Sequence, residues 1–365
     1  INQILEKFVS KINQNNISYY LIISAISQIY ILKFKNYGVI NSTCEACKIK
    51  KEDVSFVNAV LRNIDRNKKI FDKINYDKLS YPNWFKKNIK SLSSKKRKAI
   101  YKSILEKPSI HIQFKNDKYI SNINVKFNRT SKMSICLKES INIRKITGYK
   151  EGHWWVQDMA SAAPIKLLGD IKGKDIIDMC AAPGSKTFQL LNAEANVTSY
   201  DISLKRINKM RENLNRLKYK NNIIHLDILK IKSKLKYDIV LLDAPCSATG
   251  TLKRNPEIIY RNNIPKINTL IDLQYQMLTK ASKLVKVNGI ILYVVCSIFD
   301  SEGIKQIDKF LKKNKNFKVS KFDKIREIYY NKLITKDGYF QSFPSNYKKI
   351  GGLDGFFAAK LIKKK

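Results

Sequence analysis

Apolar residues recur at helical spacing over roughly the first seventy positions of the chain. Leu21, Ala25 and Ile29 follow one another along one helical face, and a similar pattern runs through residues 56–61. Gly38 is the one glycine of this stretch, so little in it interrupts a helix. The pattern predicts a small all-α domain over residues 1–72.

The pattern changes between residues 73 and 150. Helical spacing returns over residues 84–105, after a break at the Tyr-Pro-Asn-Trp sequence of residues 81–84. Three short apolar stretches follow at residues 110–114, 123–127 and 141–146, and each has the length of a strand. These features predict a small α+β connector over residues 73–150.

From residue 151 onward, short apolar runs alternate with amphipathic stretches. We predict strands at residues 174–179, 196–200, 222–226, 237–242 and 289–295, and helices at 187–191, 204–217, 268–285 and 301–314. Alternation of this kind predicts a largely parallel sheet with helices on both faces. We therefore expect an α/β catalytic domain over residues 151–365.

Polar residues stand at or just after the ends of several predicted strands. Strand-capping acids of an ordinary structural kind would explain one or two of them, but not the whole set. The carboxyl ends of strands border the ligand crevice of an open α/β sheet, so these side chains are candidates for one site. They are Asp178, Asp201, Asp227, Asp243, Cys246 and Cys296.

The chain is strongly basic. Seventy Lys and Arg residues against thirty Asp and Glu give a formal net charge of +40, which favours a polyanionic partner. Lys, Ile and Asn all have AT-rich codons, so compositional drift can account for part of this charge. With no long apolar run and no signal peptide, we expect a cytoplasmic protein without a membrane span. The chain lacks an initiator Met, so its true start can lie upstream.

Six cysteines in a reducing compartment are not expected to form disulfides. Cys44 and Cys47 form a lone Cys-x-x-Cys pair, with no second pair and no histidines at zinc spacing. We interpret them as small apolar residues of a helix and predict no metal site.

A small-residue turn follows the first predicted strand of the α/β region. Residues 178–187 read Asp-Met-Cys-Ala-Ala-Pro-Gly-Ser-Lys-Thr, which matches neither a phosphate-binding loop nor the dinucleotide fingerprint. Small residues let a ligand approach the backbone closely. Asp201, at the end of the second strand, suits ribose hydroxyls, and Asp227 after the third suits an adenine amino group. Together these features indicate a nucleoside cofactor.

Two thiols and an acid follow later strands. Asp243-Ala-Pro-Cys246 ends one strand, and Cys296 ends another. A thiolate that adds to carbon 6 of cytosine makes carbon 5 nucleophilic, and an acid at the ring nitrogen stabilises the charge that develops. A base must then remove the proton from carbon 5 so that the thiol can leave. The pattern favours cytosine methylation in which one thiol attacks and the other assists release.

These motifs resemble the RNA 5-methylcytosine methyltransferase family, the Sun group. The resemblance rests on residues 178–187, on residues 243–250 and on Val-Cys-Ser at residues 295–297. It implies a Rossmann-like methyltransferase fold, attack by Cys296 and product release promoted by Cys246. It also implies a binding site for S-adenosyl-L-methionine (SAM) formed by Cys180, Ala181, Ala182, Pro183, Gly184, Ser185, Lys186, Asp201, Asp227 and Asp243.

The resemblance continues outside the catalytic motifs. Residues 152–158, 253–257 and 355–360 are similar to family segments, and residues 56–62 resemble the NusB-like RNA-binding domain of the bacterial member that methylates small-subunit ribosomal RNA. It therefore implies 16S ribosomal RNA as substrate. The sequence departs from the family at Ser185, where a glycine is usual, at Gly303 after Glu302, where Asn is usual, and over residues 110–116.

Further expectations concern the RNA and the rival functions. Lys253 and Arg254 are expected to hold RNA, the three tryptophans to lie in the core, and the protein to be a monomer. One alternative is a DNA cytosine-5 methyltransferase that attacks through Cys246. The other is a non-catalytic RNA-binding or ribosome assembly factor that keeps the fold without turnover.

Overall fold

The computed structural model describes residues 1–9, 13–67, 69, 81–139, 141–232, 234–259 and 266–364. It divides into two compact units, Ile1–Leu79 and Ser80–Lys365. The boundary predicted at residues 72–73 lies outside the described residues.

The first unit is helical throughout its described part, as its apolar periodicity predicts. Its core includes Ile22, Val57 and Leu61, all almost completely buried. The Asp53 carboxylate begins the last helix by accepting a hydrogen bond from the backbone N–H of Phe56 at 2.9 Å. The helices are α1 (Asn2–Leu5), α2 (Ile17–Ile26), α3 (Asn36–Ile49), which carries Cys44 and Cys47, and α4 (Val54–Arg66).

The second unit opens with two short helices and a four-stranded antiparallel sheet of order β2-β3-β1-β4. The strand predicted at residues 110–114 is present, but those at 123–127 and 141–146 are wrong. Their apolar side chains, including Ile123 and Ile146, pack against this sheet's core from turns, so burial did not require a strand. The elements are α5 (Asn83–Asn88), α6 (Ser94–Ile104), β1 (His111–Phe114), β2 (Phe127–Ser131), β3 (Ser134–Leu137) and β4 (Trp154–Val156).

An eight-stranded sheet forms the centre of this unit. Its order is β10-β12-β9-β8-β5-β6-β7, and β11 pairs with β12. The strands are β5 (Asp175–Asp178), β6 (Asn196–Asp201), β7 (Asn222–His225), β8 (Tyr237–Asp243), β9 (Val285–Val295), β10 (Phe317–Ser320), β11 (Phe340–Gln341) and β12 (Phe357–Lys363). The run from β7 to β9 is parallel, whereas β12 lies antiparallel between β9 and β10.

Helices cover both faces of this sheet, as expected for alternating strands and helices. Val240 and Leu242 of β8 face a core shared with α10 and α11, and Ile239 and Leu241 face one shared with α7 and α8. Each such side chain contributes about 1.5–3 kcal/mol when fully buried. The helices are α7 (Met159–Lys166), α8 (Ser185–Asn192), α9 (Leu204–Leu217), α10 (Ile267–Leu284), α11 (Ile304–Lys313) and α12 (Ile328–Asn331).

Candidate active site

The polar residues predicted at strand ends come together along one edge of the sheet. Asp178, Asp201 and Asp243 are the last residues of β5, β6 and β8, and Cys296 follows β9. These four strands are parallel neighbours, so their carboxyl ends meet at the same edge. The strand order reverses at β5, between β6 and β8, which is where open α/β sheets bind their ligands.

The small-residue turn after β5 is fixed against this edge. The backbone N–H of Ala181 donates to the Tyr200 carbonyl at 2.9 Å, and that of Ala182 donates to Asp201 Oδ2 at 3.0 Å. Gly184 begins α8 with a φ of +108°, and a Cβ there would lie 2.5 Å from the Phe188 ring. Only glycine suits that position, and the absence of a side chain keeps the turn close to the sheet edge.

Asp178 is a buried acid with one unused acceptor. Its Oδ2 accepts a hydrogen bond from the Thr187 hydroxyl at 2.6 Å, whereas its Oδ1 has no partner among the described residues. Burial raises the pKa of this carboxyl to about 7, and the Thr187 hydrogen bond opposes part of that rise. A buried oxygen without a donor, at the switch point, fits a ligand that supplies one.

Asp201 and Asp227 take different positions around the crevice. Both oxygens of Asp201 accept backbone hydrogen bonds, from Ala182 at 3.0 Å and from Ser203 at 2.9 Å. Asp227 is half-buried and caps a short helical turn by accepting from the backbone N–H of Leu229 at 3.0 Å. Asp201 therefore holds the small-residue turn after β5 in place.

Lys186 forms a buried ion pair with Asp243. Its Nζ lies 2.7 Å from Asp243 Oδ2, and the side chain is 6% exposed against 32% for Asp243. The same ammonium donates to the Ser161 hydroxyl at 3.2 Å. A lysine predicted as part of the cofactor loop is therefore also the partner of the predicted catalytic acid.

The two cysteines predicted to share the chemistry are in contact. The Sγ atoms of Cys246 and Cys296 lie 3.3 Å apart, and both side chains are partly buried. The hydrogen bond with Cys296, followed by burial, raises the pKa of the Cys246 thiol well above its usual range. Loss of the proton from Cys246 is therefore disfavoured, and either thiol can donate a hydrogen bond to the other sulfur.

One acid at the site was noted in the sequence only as the residue before Gly303, and was not predicted as a site residue. Glu302 is fully buried, and its carboxylate accepts hydrogen bonds from Ser247 and Ser297, the residues directly after the two cysteines. A signal was present in the sequence, because both candidate thiols occur in a Cys-Ser pair.

Lys253 and Arg254, predicted to hold RNA, have partners within the fold. Arg254 Nη2 lies 2.7 Å from Asp158 Oδ2, and its Nε lies 2.9 Å from Asp354 Oδ2. Lys253 is buried, and its Nζ donates to the Gly351 carbonyl at 3.1 Å. Contact of these two residues with RNA stays an untested prediction, and the geometry gives both a structural role.

Three general expectations concern the tryptophans, a metal site and a membrane span. Trp154 and Trp155 are buried, as predicted, whereas Trp84 is partly exposed. Within the described ranges, no three His, Cys, Asp or Glu side chains converge as metal ligands would. None of the helices described in this chain has the length and apolarity that a bilayer crossing requires.

Comparison with known proteins assigns the family. A family model described as 16S rRNA methyltransferase RsmB/F matches residues 166–362, more than half of the chain. The chain belongs to the RsmB/F family. A NusB family model matches residues 1–66, which identifies the helical unit. The predicted family, the NusB-like and methyltransferase folds and the SAM cofactor are thereby confirmed, because RsmB/F proteins are SAM-dependent rRNA methyltransferases.

Individual relatives agree with the RsmB/F assignment. Ribosomal RNA small subunit methyltransferase B of Shewanella oneidensis is 30% identical over 368 residues, covering 96% of this chain and 83% of the relative. The crystal structure of PH0851 has a TM-score of 0.76 at 24% identity, covering 99% of this chain and 86% of that one. NSun6 from Pyrococcus horikoshii, solved with SFG, has a TM-score of 0.66 at 18% identity, covering 78% and 98%. The two structural likenesses concern the fold alone.

Proposed function

We propose that this RsmB/F protein transfers a methyl group from SAM to carbon 5 of a cytosine in small-subunit ribosomal RNA. The observation that carries the proposal is the pair of thiols 3.3 Å apart, at the ends of neighbouring strands. Cytosine methylation at carbon 5 needs one group to attack carbon 6 and another to assist departure of the first. Two cysteines in contact supply both.

We assign the attack to Cys296. Its sulfur adds as a thiolate to carbon 6, and the electron pair of the C5–C6 double bond shifts so that carbon 5 becomes nucleophilic. A protonated Cys246 thiol beside it can donate a hydrogen bond to that thiolate and stabilise it. The ion pair of Lys186 with Asp243, which lies three residues before Cys246, would stabilise the charge that develops at the ring nitrogen.

SAM supplies the electrophilic methyl group, and the crevice residues fit its binding. The unpaired Oδ1 of Asp178 would accept a hydrogen bond from it, and the turn ending in Gly184 leaves space for it. Asp201 and Asp227 would hold its nucleoside part. Release then completes the cycle: a base removes the carbon 5 proton, the C5–C6 double bond re-forms and the C6–S bond breaks. We assign assistance in this step to Cys246.

A basic surface beside the site supports RNA as the substrate. Exposed lysines of α5 and the following turn form this surface, which consists of Lys86, Lys87 and Lys90. The helix is anchored by Trp84, whose ring lies edge-on to Phe299 at 6.2 Å, three residues past Cys296. Lysines on a helix that packs against the loop after Cys296 can bind phosphates that flank the target base, which must be flipped out to reach the cleft.

Trapping on an RNA that contains fluorinated cytosine tests the assignment, since fluorine at carbon 5 blocks release. Cys296→Ala should form no protein–RNA adduct, and Cys246→Ala should still form one. Loss of the adduct in Cys246→Ala, with retention in Cys296→Ala, would reverse the roles as in a DNA-type enzyme. No transfer of label from SAM to unmodified ribosomal RNA at any salt concentration would instead favour the non-catalytic assembly factor.

A further inference from the structure

A single buried carboxylate joins the two loops that carry the thiols. Ser247 follows Cys246, Ser297 follows Cys296, and the hydroxyls of both serines donate to Glu302 Oε2 at 2.5 Å. Glu302 has no exposed surface. One oxygen atom thus ties together the backbone positions adjacent to both sulfurs.

The second oxygen of Glu302 is also fully engaged. Its Oε1 accepts from the backbone N–H of Ser247 at 2.8 Å and from the Gln274 side-chain amide at 3.0 Å. The Gln274 amide donates to the Pro245 carbonyl at 3.0 Å as well, so the turn before Cys246 is held from the same side. The Tyr293 hydroxyl donates to the Glu302 carbonyl at 2.7 Å and so fixes the backbone of the acid.

Burying the Glu302 carboxylate costs folding free energy, and the hydrogen bonds that it accepts offset that cost while they fix the two loops. A buried carboxylate loses several kcal/mol of hydration, and no Lys, Arg or His pairs with Glu302 among the described residues. Four hydrogen-bond donors offset that loss, because hydrogen bonds to a charged acceptor are roughly twice as strong as neutral ones. Apolar residues would fill the same space at lower cost, but they would not fix two loops relative to one another.

We infer that Glu302 is a positioning residue that sets the spacing between the Cys246 and Cys296 thiols for attack and release. The inference rests on the proposed function for its catalytic meaning and on the hydrogen-bond network for its geometry. Without the carboxylate, both serines lose their shared acceptor. The Gly250 N–H still donates to the Cys296 carbonyl at 2.9 Å, so the two segments stay joined while the sulfurs shift relative to one another. A misplacement of about 1 Å at reacting groups can lower a rate on the order of 100-fold.

The test compares Glu302→Gln with Ser297→Ala, which removes one tether and leaves the acid in place. Glu327→Gln is the control away from the thiols: that carboxylate accepts from the Lys132 backbone N–H at 2.8 Å, in a loop of the small sheet, and lies 3.8 Å from Lys166 Nζ. Three quantities are measured for each folded protein: SAM affinity, the rate of adduct formation on fluorocytosine RNA, and capture of the thiol pair by phenylarsine oxide. That reagent bridges two thiols only when they are close, and mass spectrometry locates it.

We expect Glu302→Gln to bind SAM within about two-fold of the wild type and to form adduct about 10- to 100-fold more slowly. Bridging of the thiol pair should fall by a similar factor, and Ser297→Ala should show the same losses in smaller measure. Glu327→Gln should match the wild type in all three. If Glu302→Gln does not fold, Ser297→Ala decides the matter alone.

Two results would overturn the inference. Either wild-type rates in both site variants or slow adduct formation with unchanged bridging of the thiols would show that Glu302 does not set their spacing. If the wild type itself forms no adduct, the proposed function fails instead, and the bridging measurement still tests the positioning role.

Discussion

Replacing Asp178 by Asn should change how the stability of the catalytic unit depends on pH. The pKa of this buried carboxyl is raised to about 7, because burial disfavours its charged form. In the unfolded chain the same group ionises near its ordinary value of 3.8. Between these two values the unfolded state binds fewer protons than the folded state, so Asp178 lowers stability as the pH rises.

The size of the effect follows from the shift. Between pH 3.8 and about pH 7, each pH unit lowers the free energy of unfolding of the wild type by up to about 1.4 kcal/mol. The largest possible loss over this whole range is therefore about 4 kcal/mol. Asn cannot ionise, and any cost of its misplaced amide is the same at every pH. The free energy of unfolding of Asp178→Asn minus that of the wild type should therefore rise by about 2–3 kcal/mol between pH 5 and pH 8, and then level off.

Urea unfolding of the ligand-free protein, followed by tryptophan fluorescence, measures this difference. All three tryptophans lie in the second unit, so the signal reports that unit alone. Asp175→Asn is the matched control, since Asp175 is exposed at the opposite end of the same strand and water already solvates its carboxylate. A difference for Asp178→Asn that stays constant within about 0.5 kcal/mol from pH 5 to pH 8 would refute the reasoning.

Three further changes test other parts of the site. Gly250→Ala should abolish methyl transfer, because its Cβ would overlap the backbone carbonyl of Gly355. Gly38→Ala is the control and should leave transfer unchanged, because the space around Gly38 is open. Assays of methyl transfer from labelled SAM measure both effects. Arg254→Gln should cost about 3–5 kcal/mol in urea unfolding, because it leaves buried carboxylates unpaired. It should not alter the salt dependence of RNA binding, and a lower slope would support the RNA-contact prediction instead. Replacing Lys86, Lys87 and Lys90 of the basic surface with Gln should weaken RNA binding. The slope of log affinity against log salt concentration should fall by about 0.7 for each phosphate that the protein no longer neutralises, and an unchanged slope would contradict this prediction. Its control is the same change at three exposed lysines on the opposite edge of the sheet: Lys312, Lys313 and Lys315.

The parallel part of the large sheet was predictable because its elements have strong local patterns, whereas the pattern did not predict the antiparallel strands β10, β11 and β12. The helix at residues 204–217 matches α9 at both ends, since apolar residues recur along one face and Ser203 caps its start. The predicted helix at 301–314 begins later, at Ile304, because residues 301–303 form a turn that buries Glu302 behind the thiols. Burial of a polar side chain is a tertiary property, which periodicity does not report.

The small sheet and the partners of charged side chains were harder to predict from the sequence. Strands β3 and β4 are short and buried by contact with distant segments, as Ile112 pairs with both Ile135 and Val156. Arg254 was predicted to hold RNA, because its partner Asp354 is a hundred positions away along the chain and no local pattern reveals their contact. Sequence reasoning located the acids and thiols through strand ends, but it could not foresee which carboxylate each cation would meet.

The position of β12 has a consequence for how the protein is made. Strand β9, which leads into Cys296, gains its second neighbour only when Phe357 pairs with Val295, more than sixty residues later. The Gly355 backbone N–H just before that strand also donates to the Gly250 carbonyl at 2.8 Å, in the loop that carries Cys246. Pairing of such distant segments is slow to form, and domains fold as the chain emerges from the ribosome. A nascent chain should therefore hold a folded helical unit well before it has a working pair of thiols, so that catalysis begins only after nearly the whole catalytic unit has been synthesised.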